Sequence, residues 1–325
     1  MNKHIKSISP ETLSSFYHRK SVLITGVNGF VAGYLIPRLR GLGAVVHGVD
    51  LHEYQKHPEC RYHCCNLRNM DSIMQFLKQN PPDCVFHLAS QSSVGTSWSN
   101  EWQTIQTNVE STYNLFKALE YLEIPVKVLV VSTGEVYGNI GYRKASENDR
   151  LMPLNPYAAS KAMMEMVVHR YRNSNIDYVI ARSYNHTGPR RPATYFEAGI
   201  AEKYAVAKLS AKSIVNLKVG NIENIRDFSD VRDVVEKYIL LACQGKNGEA
   251  YNVCSGIGIC LREIITIMED ITNISASIEV DESKLRKNDI PFLVGENCIP
   301  IQGRTIRETL KDLYEYYESS ILLDQ

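Results

Sequence analysis

Residues 22–50 read VLITGVNGFVAGYLIPRLRGLGAVVHGVD, and this stretch decides the fold. Its first four residues are apolar or β-branched, end at Thr25, and are typical of a buried strand rather than a helix. Gly26 and Gly29 follow at once, and after them come a helical stretch and a second apolar strand that ends on Asp50. This order of strand, glycine turn, helix, strand and acid predicts a βαβ unit that binds a dinucleotide.

Each part of this unit has a physical role. Gly26 permits a tight turn, and Gly29 lets backbone N–H groups at the helix N-terminus approach a pyrophosphate. Asp50 is placed to accept hydrogen bonds from the hydroxyls of an adenine ribose. The third small position is Ala32, which still allows close packing of helix on strand. A βαβ turn that binds no nucleotide is the alternative interpretation.

Composition restricts the class of protein. The chain has 325 residues with 36 basic and 36 acidic side chains, a balance that favours neither nucleic acid nor membrane as a partner. No apolar run approaches the roughly 20 residues of a bilayer span, and the polar N-terminus lacks the apolar centre of a secretory signal. The eight cysteines lack metal-ligand spacing, so we expect no metal and reduced thiols in a cytoplasmic protein.

Strand and helix patterns alternate through the first two-thirds of the chain. This alternation predicts an α/β fold with a doubly wound parallel sheet of the Rossmann type. Within it, a long helix is expected over about 98–121 and another over about 156–172. Beyond Asn185 the pattern loosens, which predicts a smaller substrate-binding part interwoven with the sheet.

Tyr157 and Lys161, in the run YAASK, form the first candidate catalytic pair. Their spacing puts both side chains on one face of a helix, one turn apart. A nearby ammonium favours the phenolate, so we expect Lys161 to lower the pKa of Tyr157 towards the working pH. Such a phenol can give a proton to a developing alkoxide or take one from an alcohol. A solvated helix face is the alternative role of the pair.

Loops that follow strands supply further polar groups, and ligands bind at such strand ends. Thr133, in STGEVYG, can hydrogen-bond a reacting oxygen beside Tyr157, although a turn cap is its alternative role. The run HLASQSS offers small and hydroxylic residues that let a nicotinamide ribose and a sugar approach. Asn108 is polar inside a predicted helix, which often indicates a buried hydrogen-bonding role.

Together the motifs TGVNGFVAG, HLASQSSV, STGEVYG, YAASK and RDFSDVRD resemble the extended short-chain dehydrogenase/reductase superfamily. Within its nucleotide-sugar branch, the runs ASQSSVGTSW, RSYNHTGPRR, VGNIENIRDFSDVRDVV and YNVCSGIG look most like GDP-4-keto-6-deoxy-D-mannose reductases. The resemblance covers roughly 21–291. It implies an NAD(P)H-dependent enzyme that reduces the C4 ketone of a nucleoside-diphosphate 4-keto-6-deoxyhexose in deoxysugar biosynthesis.

The resemblance also implies roles for individual residues. The catalytic triad would be Thr133, Tyr157 and Lys161. The cofactor would be contacted by Gly26, Gly29, Phe30, Val31, Asp50, Asn66, Leu67, Leu88, Ala89, Gln91, Asn108 and Lys161. The substrate would be contacted by Ser92, Ser93, Val94, Glu135, Asn185, His186, Arg191, Arg226 and Arg286. Asn66 stands where the family usually has an acid that reads the adenine amino group.

Arg226 and Arg286 look like two arginines that grip a nucleotide diphosphate, because a guanidinium fork matches phosphate oxygens. Ion pairs with neighbours such as Asp227 or Asp289 are their alternative role. Asp50 repels a 2′-phosphate, so we expect NAD(H) as the cofactor, with NADP(H) as the alternative.

The implied domain organisation and assembly follow the same family. We expect an N-terminal extension or short capping helix at 1–20 and an NAD(P)-binding domain at 21–185 plus about 225–255. A nucleotide-sugar-binding domain is expected at 186–224 and 256–325. Relatives pair as homodimers through the helices at 98–121 and around Tyr157. The apolar residues that suit such a face, or equally a core, are Met163, Met164, Met166 and Val167.

Other enzyme activities of the nucleotide-sugar branch are alternatives to the reduction. Dehydratases of this branch have an acid where this chain has Gly134, and epimerase–reductases have a cysteine where it has Glu135, so both are disfavoured. A 4-epimerase needs only the triad and tightly held NAD, and it remains an alternative, as does a dTDP-4-keto-6-deoxyglucose reductase. A catalytically dead nucleotide-binding protein is the alternative outside the enzymes, and it would be expected to lack Tyr157 or Lys161.

Overall fold

The computed structural model describes residues 5–285 and 288–323. The first half contains α1 (Pro10–Tyr17), β1 (Ser21–Thr25), α2 (Ala32–Gly41), β2 (Val45–Asp50), β3 (Arg61–Cys64), α3 (Met70–Gln79), β4 (Cys84–His87), α4 (Val94–Ser99), α5 (Glu101–Ile105), α6 (Ser111–Tyr121), β5 (Val126–Thr133), α7 (Pro156–His169) and β6 (Ile176–Ser183). The second half contains β7 (Asn185–Thr187), α8 (Phe196–Leu209), β8 (Ile214–Val219), β9 (Ile225–Asp230), α9 (Val231–Gln244), β10 (Glu249–Val253), β11 (Gly258–Cys260), α10 (Leu261–Thr272), β12 (Ser275–Val280), β13 (Phe292–Leu293) and α11 (Ile306–Leu323). Among these helices none is long and apolar enough to cross a membrane.

Seven parallel strands form the central sheet in the order β10-β6-β5-β4-β1-β2-β3. The order reverses direction beside β1, which is characteristic of doubly wound dinucleotide-binding sheets. β1 and β4 are buried almost throughout because helices cover both faces of the sheet, with one apolar core on each side. The predicted α/β fold with a doubly wound parallel sheet is confirmed.

The C-terminal part is built around smaller sheets. β9 pairs with β7, β11 and β13, and β8 pairs with β12. The helices α8, α10 and α11 pack against one another and contribute to a separate apolar core. Between these elements β10 returns to the main sheet, so the two parts are interwoven along the chain. The domain boundaries given above remain predictions.

The long helix predicted over 98–121 is wrong in detail. The structure divides this stretch into α4, α5, a π-helical turn at Gln106–Glu110 and α6. Asn100, at φ −136° and ψ 53°, leaves the helical region between α4 and α5. The π turn carries Asn108, whose side chain is fully buried and hydrogen-bonded to neighbouring segments. The periodicity of apolar residues continues through both interruptions, which is why the pattern did not show them.

Candidate active site

A cavity of about 1480 Å³ lies at the carboxyl ends of the central strands, against the C-terminal part. Ligands bind at this edge in open parallel sheets. The cavity is lined by most of the predicted site residues: Gly26, Gly29, Phe30, Val31, Asp50, Leu88, Ala89, Ser92, Ser93, Val94, Thr133, Glu135, Tyr157, Lys161, Asn185, His186, Arg191 and Arg226. Residues taken from distant segments of the sequence therefore meet in one place.

Some predicted residues are not brought to this lining. Asn66 is exposed and its side-chain oxygen accepts a hydrogen bond from Arg68 N, while Leu67 lies in the core beneath. Gln91 and Asn108 lie behind the lining. Arg286, predicted to grip a diphosphate, lies outside the described residues, so its role stays a prediction.

Asn108 supports the loop that follows β4. Its Oδ1 accepts a hydrogen bond from Gln91 N at 2.7 Å, and its Nδ2 donates to Gln91 O at 3.1 Å. The same Nδ2 donates to Ser160 Oγ on α7 at 2.8 Å. The polar residue inside a helix therefore has the buried hydrogen-bonding role that the sequence indicated, and it ties this loop to the helix that carries Tyr157.

The glycine turn fits a dinucleotide. Gly26 has φ +69°, and a Cβ there would lie 2.8 Å from Ala89 Cα, so only glycine fits between β1 and the end of β4. The first turn of α2 follows, and its N–H groups are a suitable site for a pyrophosphate. Across the cavity from the triad, the Asp50 carboxylate accepts a hydrogen bond from Asn28 N at 3.1 Å. These features form a cradle for the dinucleotide that the sequence predicts.

The catalytic helix α7 begins with a strong cap. Asn155 Oδ1 accepts a hydrogen bond from Ala158 N at 2.8 Å, and Pro156 occupies the first helical position. Asn155 Nδ2 in turn donates to Glu135 Oε2 at 2.6 Å. The helix start is therefore fixed to the loop after β5, and it places Tyr157 and Lys161 at the cavity.

Thr133 is the last residue of β5 and faces the same cavity. Its Oγ1 accepts a hydrogen bond from Glu135 N at 3.3 Å, so the turn-cap role named as an alternative is present. A hydroxyl that accepts at its oxygen still has its own proton to donate. Thr133 can therefore both cap the turn and hydrogen-bond an oxygen beside Tyr157.

The sequence predicted that the pKa of Tyr157 is lowered, and in the structure this is wrong. Burial raises the pKa of Tyr157 well above its ordinary value, the Glu135 carboxylate raises it further, and the nearby Thr133 side chain opposes the rise. Removal from water disfavours the phenolate, which carries the charge. Tyr157 therefore keeps its proton at neutral pH, as a proton donor must.

Lys161 does not supply the effect expected of it because it is itself deeply buried. Its Nζ donates a hydrogen bond to Val131 O at 2.8 Å, and burial lowers its pKa to about 7, while the Glu165 carboxylate opposes that fall. Near pH 7 the amine is therefore charged only part of the time. Its position is fixed by the backbone of β5.

Another part of the cavity lining carries aromatic and basic groups. The Arg191 guanidinium lies 3.5 Å from the ring centre of Tyr195 and 5.2 Å from that of Phe30. The His186 ring is parallel to that of Phe30 at 6.4 Å. Burial, and then the Arg191 charge, lower the pKa of His186 to about 4, so its imidazole is neutral at physiological pH. This wall presents a cation and flat apolar surfaces.

Arg226 lines the cavity and also forms the ion pair that the sequence offered as its alternative role. Its Nη2 lies 2.9 Å from Asp289 Oδ1, and its Nη1 donates to Ile290 O at 2.6 Å. Asn224 Nδ2 donates to the other oxygen of the Asp289 carboxylate at 2.5 Å. The guanidinium is thereby fixed in orientation at the cavity wall.

The lining also contains residues that the sequence did not predict, among them Ser183 and Tyr238. The hydroxyls of Ser183 and Tyr238 lie 2.6 Å apart on the cavity wall. Ser183 ends β6, so the rule that strand ends bind ligands could have found it. Tyr238 lies within the apolar helix α9, where an aromatic residue gives no signal beyond that of core packing.

The chain is similar to known enzymes that act on nucleotide sugars. The chain is 34% identical over 275 residues to the GDP-6-deoxy-D-mannose reductase of Pseudomonas aeruginosa, covering 82% of this chain and 84% of that one. The structure of RMD from Pseudomonas aeruginosa complexed with NADPH has a TM-score of 0.81 at 28% identity, over 93% of this chain and 99% of that one. UDP-glucose 4-epimerase of Thermus thermophilus in complex with NAD has a TM-score of 0.79 at 25% identity, over 92% and 99%.

Both cofactors that the sequence predicts, NAD(H) and NADP(H), therefore occur among proteins similar to this chain. Residues 23–315 match the family described as GDP-mannose 4,6 dehydratase. The glycine turn and the YAASK helix lie within that match, at one cavity. The chain belongs to the GDP-mannose 4,6-dehydratase family of extended short-chain dehydrogenases/reductases.

Proposed function

We propose that this protein is an NAD(P)H-dependent reductase of the C4 ketone of a nucleoside-diphosphate 4-keto-6-deoxyhexose. The observation that carries this proposal is the meeting of Thr133, Tyr157 and Lys161 at one cavity with the glycine turn. The similarity to a GDP-6-deoxy-D-mannose reductase supports GDP as the nucleotide. A dTDP sugar is the alternative substrate.

The proposed mechanism assigns a role to each of these residues. A bound reduced nicotinamide supplies the hydride. Tyr157 holds its proton because burial raises its pKa, and it donates that proton to the carbonyl oxygen as negative charge develops there. Thr133 donates a hydrogen bond to the same oxygen. Lys161, whose Nζ donates to Val131 O, would hold the ribose hydroxyls of the cofactor.

Elimination of water, the reaction for which the family is described, is disfavoured because position 134 carries no acidic side chain. Position 134 is glycine, and a Cβ there would lie 2.6 Å from a ring carbon of Tyr184. The ring of Tyr184 therefore occupies the space into which an acidic side chain would extend. Glu135 remains to remove a proton and Tyr157 serves the carbonyl oxygen, but no further acid stands at position 134 to protonate the departing hydroxyl.

The decisive experiment follows cofactor oxidation with defined sugar nucleotides. GDP-4-keto-6-deoxy-D-mannose is generated in place by a separate dehydratase, and NADH and NADPH are each supplied; dTDP-4-keto-6-deoxyglucose is tested in parallel. We expect stoichiometric cofactor oxidation with the GDP sugar and a C4 alcohol as the product by NMR. Cofactor binding without turnover of any of these ketones would contradict the proposal. NAD that copurifies and never exchanges would favour the 4-epimerase.

We further propose that the protein works as a homodimer in the cytoplasm. Side chains exposed on α4 to α7 include Trp98, Trp102, Tyr113, Met163 and Met166, a set of apolar groups that a second copy would cover. Met164, expected on the same face, lies in the core instead. All eight cysteines are free thiols, which supports a reducing compartment.

The assembly is tested by light scattering. We expect the mass of a dimer for the wild type and of a monomer for Met166→Glu, while Met152→Glu, at an exposed methionine outside these helices, leaves the dimer intact. A monomeric wild type at the concentrations used for activity would contradict the dimer.

A further inference from the structure

We propose that Glu165 is a positioning residue for the reduction proposed above, whose buried carboxylate ties the catalytic helix α7 to the ends of β5 and β6. This inference rests on the proposed function. Glu165 lies one turn after Lys161 on α7 and is fully buried. It does not line the cavity, so it would act through the residues that do.

The contacts of Glu165 are made to the two strands that end at the cavity. Its Oε1 accepts hydrogen bonds from Ser132 Oγ at 2.5 Å and from Arg182 Nε at 3.1 Å, and its Oε2 accepts from Arg182 Nη2 at 2.8 Å. Ser132 and Arg182 are paired neighbours on β5 and β6. Because Ser132 directly precedes Thr133, the carboxylate fixes the distance from the helix of Tyr157 and Lys161 to the third member of the triad.

Arg182 extends the same network away from the cavity. Its Nη1 donates to Tyr137 Oη at 2.9 Å and to Glu147 O at 3.1 Å. Tyr137 Oη donates to Asn252 Oδ1 on β10 at 2.8 Å. A buried polar network that is satisfied in this way holds one arrangement, whereas removing one partner leaves a buried charge uncompensated.

The charge of Glu165 also acts on Lys161. Burial lowers the pKa of Lys161, and the Glu165 carboxylate is the group that opposes this. The other titratable groups around the pair are Tyr157 and His169 on α7, His87 on β4 and Arg182 on β6. The pKa of His87 is lowered to about 3 by burial and by Lys161, so His87 is neutral and adds no charge. Glu165 thus supports the protonated state of the catalytic amine.

The test compares three variants of the full-length protein. Glu165→Gln removes the charge, Ser132→Ala removes one hydrogen bond, and Glu165→Gln with Arg182→Gln removes both charges so that no unpaired ion is left. The matched control is Asp230→Asn, which removes another buried carboxylate paired with an arginine, the partly exposed Arg232, away from the triad. The readouts are kcat and KM against pH, the thermal midpoint, and the titration of Lys161 followed by NMR of isotope-labelled lysine side chains.

We expect Glu165→Gln and the double variant to lower the Lys161 titration midpoint by about one unit, the low end of the effect of a nearby opposite charge. We expect kcat to fall roughly tenfold or more with KM little changed, because a small misplacement of catalytic groups is costly. Ser132→Ala should lower kcat less and leave the titration unchanged. Asp230→Asn should lower only the thermal midpoint.

If Glu165→Gln behaves like Asp230→Asn, with the Lys161 titration and the kcat–pH profile of the wild type, the positioning role is overturned. Should Glu165→Gln fail to fold, the double variant gives the same decision, because it also removes the carboxylate, and Ser132→Ala still tests the effect of the hydrogen bond on kcat. The NMR titration of Lys161 can be measured without catalytic turnover. An unreactive wild type whose Lys161 midpoint still moves in the variants would contradict the reductase and leave the carboxylate's effect on Lys161 standing.

Discussion

The Nζ atom of Lys161 lies 2.8 Å from the carbonyl oxygen of Val131, and this hydrogen bond joins the first turns of α7 to β5. It holds an amine in a place where its charged form is disfavoured, since burial lowers the pKa of Lys161 to about 7. The site therefore contains a lysine that weakens the fold at neutral pH and a tyrosine that retains its proton.

Tyr157→Phe tests the proton donor. We expect kcat to fall by about 10²–10⁴-fold, the usual contribution of a general acid, with the thermal midpoint nearly unchanged because only a hydroxyl is lost. Tyr195→Phe is the matched control, since its ring stays under Arg191 and only a contact with Ser92 is removed. Steady-state kinetics of both variants measure these changes in kcat. A wild-type kcat in Tyr157→Phe would contradict the assignment of Tyr157 as the proton donor.

Lys161→Met tests the cost of burying the amine. The pKa of Lys161 is lowered from 10.5 to about 7, so the unfolded state binds more protons between these values and wild-type stability rises with pH across this window. The stability of the wild type relative to Lys161→Met should therefore increase by up to about 1.4 kcal/mol per pH unit there. Urea unfolding at several pH values from 7 to 10 measures the difference. A difference that does not change with pH would show that the lysine titrates normally.

Gly26→Ala tests the turn between β1 and α2. Because Gly26 has φ +69° and its added Cβ would meet Ala89 Cα at 2.8 Å, we expect a loss of about 1–3 kcal/mol of unfolding free energy and weaker cofactor binding. Gly41→Ala is the matched control: nothing lies within 4 Å of its added Cβ. It should be neutral or stabilising by about 0.5–1 kcal/mol. Equal effects in the two variants would contradict the close-approach explanation.

Asp50→Ser tests the choice of cofactor. The Asp50 carboxylate lines the cavity beside the glycine turn, and it should repel a 2′-phosphate. We expect the wild type to prefer NADH in kcat/KM, and the variant to shift the preference towards NADPH by at least about tenfold, or about 1.4 kcal/mol. A wild type that strongly prefers NADPH would show that this carboxylate does not face the phosphate.

Arg226→Lys separates the two roles of that arginine. A lysine retains the charge but loses the fork, so a diphosphate contact predicts an increase of roughly tenfold in KM for the sugar nucleotide with kcat little changed. Arg262→Lys, at an exposed pair with Glu223, is the control and should change neither constant. An unchanged KM together with a lower thermal midpoint would show that Arg226 stabilises the fold and does not bind the diphosphate.

Much of the fold could be predicted because its signals are local. The inner strands β1 and β4 are short, mostly apolar runs, and the glycine turn, Asp50 and the YAASK spacing are each read within a few residues. Their meeting at one cavity follows from the general rule that ligands bind where parallel strands end. The same rule predicts that Thr133, at the end of a strand, lies beside Tyr157.

The remainder depends on contacts that no local pattern records. The rise in the pKa of Tyr157 comes from desolvation, which is set by how segments far apart in sequence close over the phenol. The pairing of Arg226 with Asp289 joins β9 to a loop more than sixty residues away, as the separation of 63 positions shows. The partners of Glu165 likewise come from two other strands. Tertiary packing determines this desolvation and these long-range pairings, and no local pattern in a single sequence predicts it.

The π-helical turn at Gln106–Glu110 has a consequence for how this chain tolerates change in length. Such a turn holds one residue more than an α-helical turn. The loss of one residue within this turn, with Asn108 retained, can therefore be absorbed by conversion to an ordinary α-helical turn that leaves α6 in register. The same deletion in the middle of α6, which holds no extra residue, would rotate the helix after it by about 100° and shift it by about 1.5 Å. Leu119, now buried, would then turn away from the core, so a single-codon deletion in α6 should be far more damaging than one at the π turn.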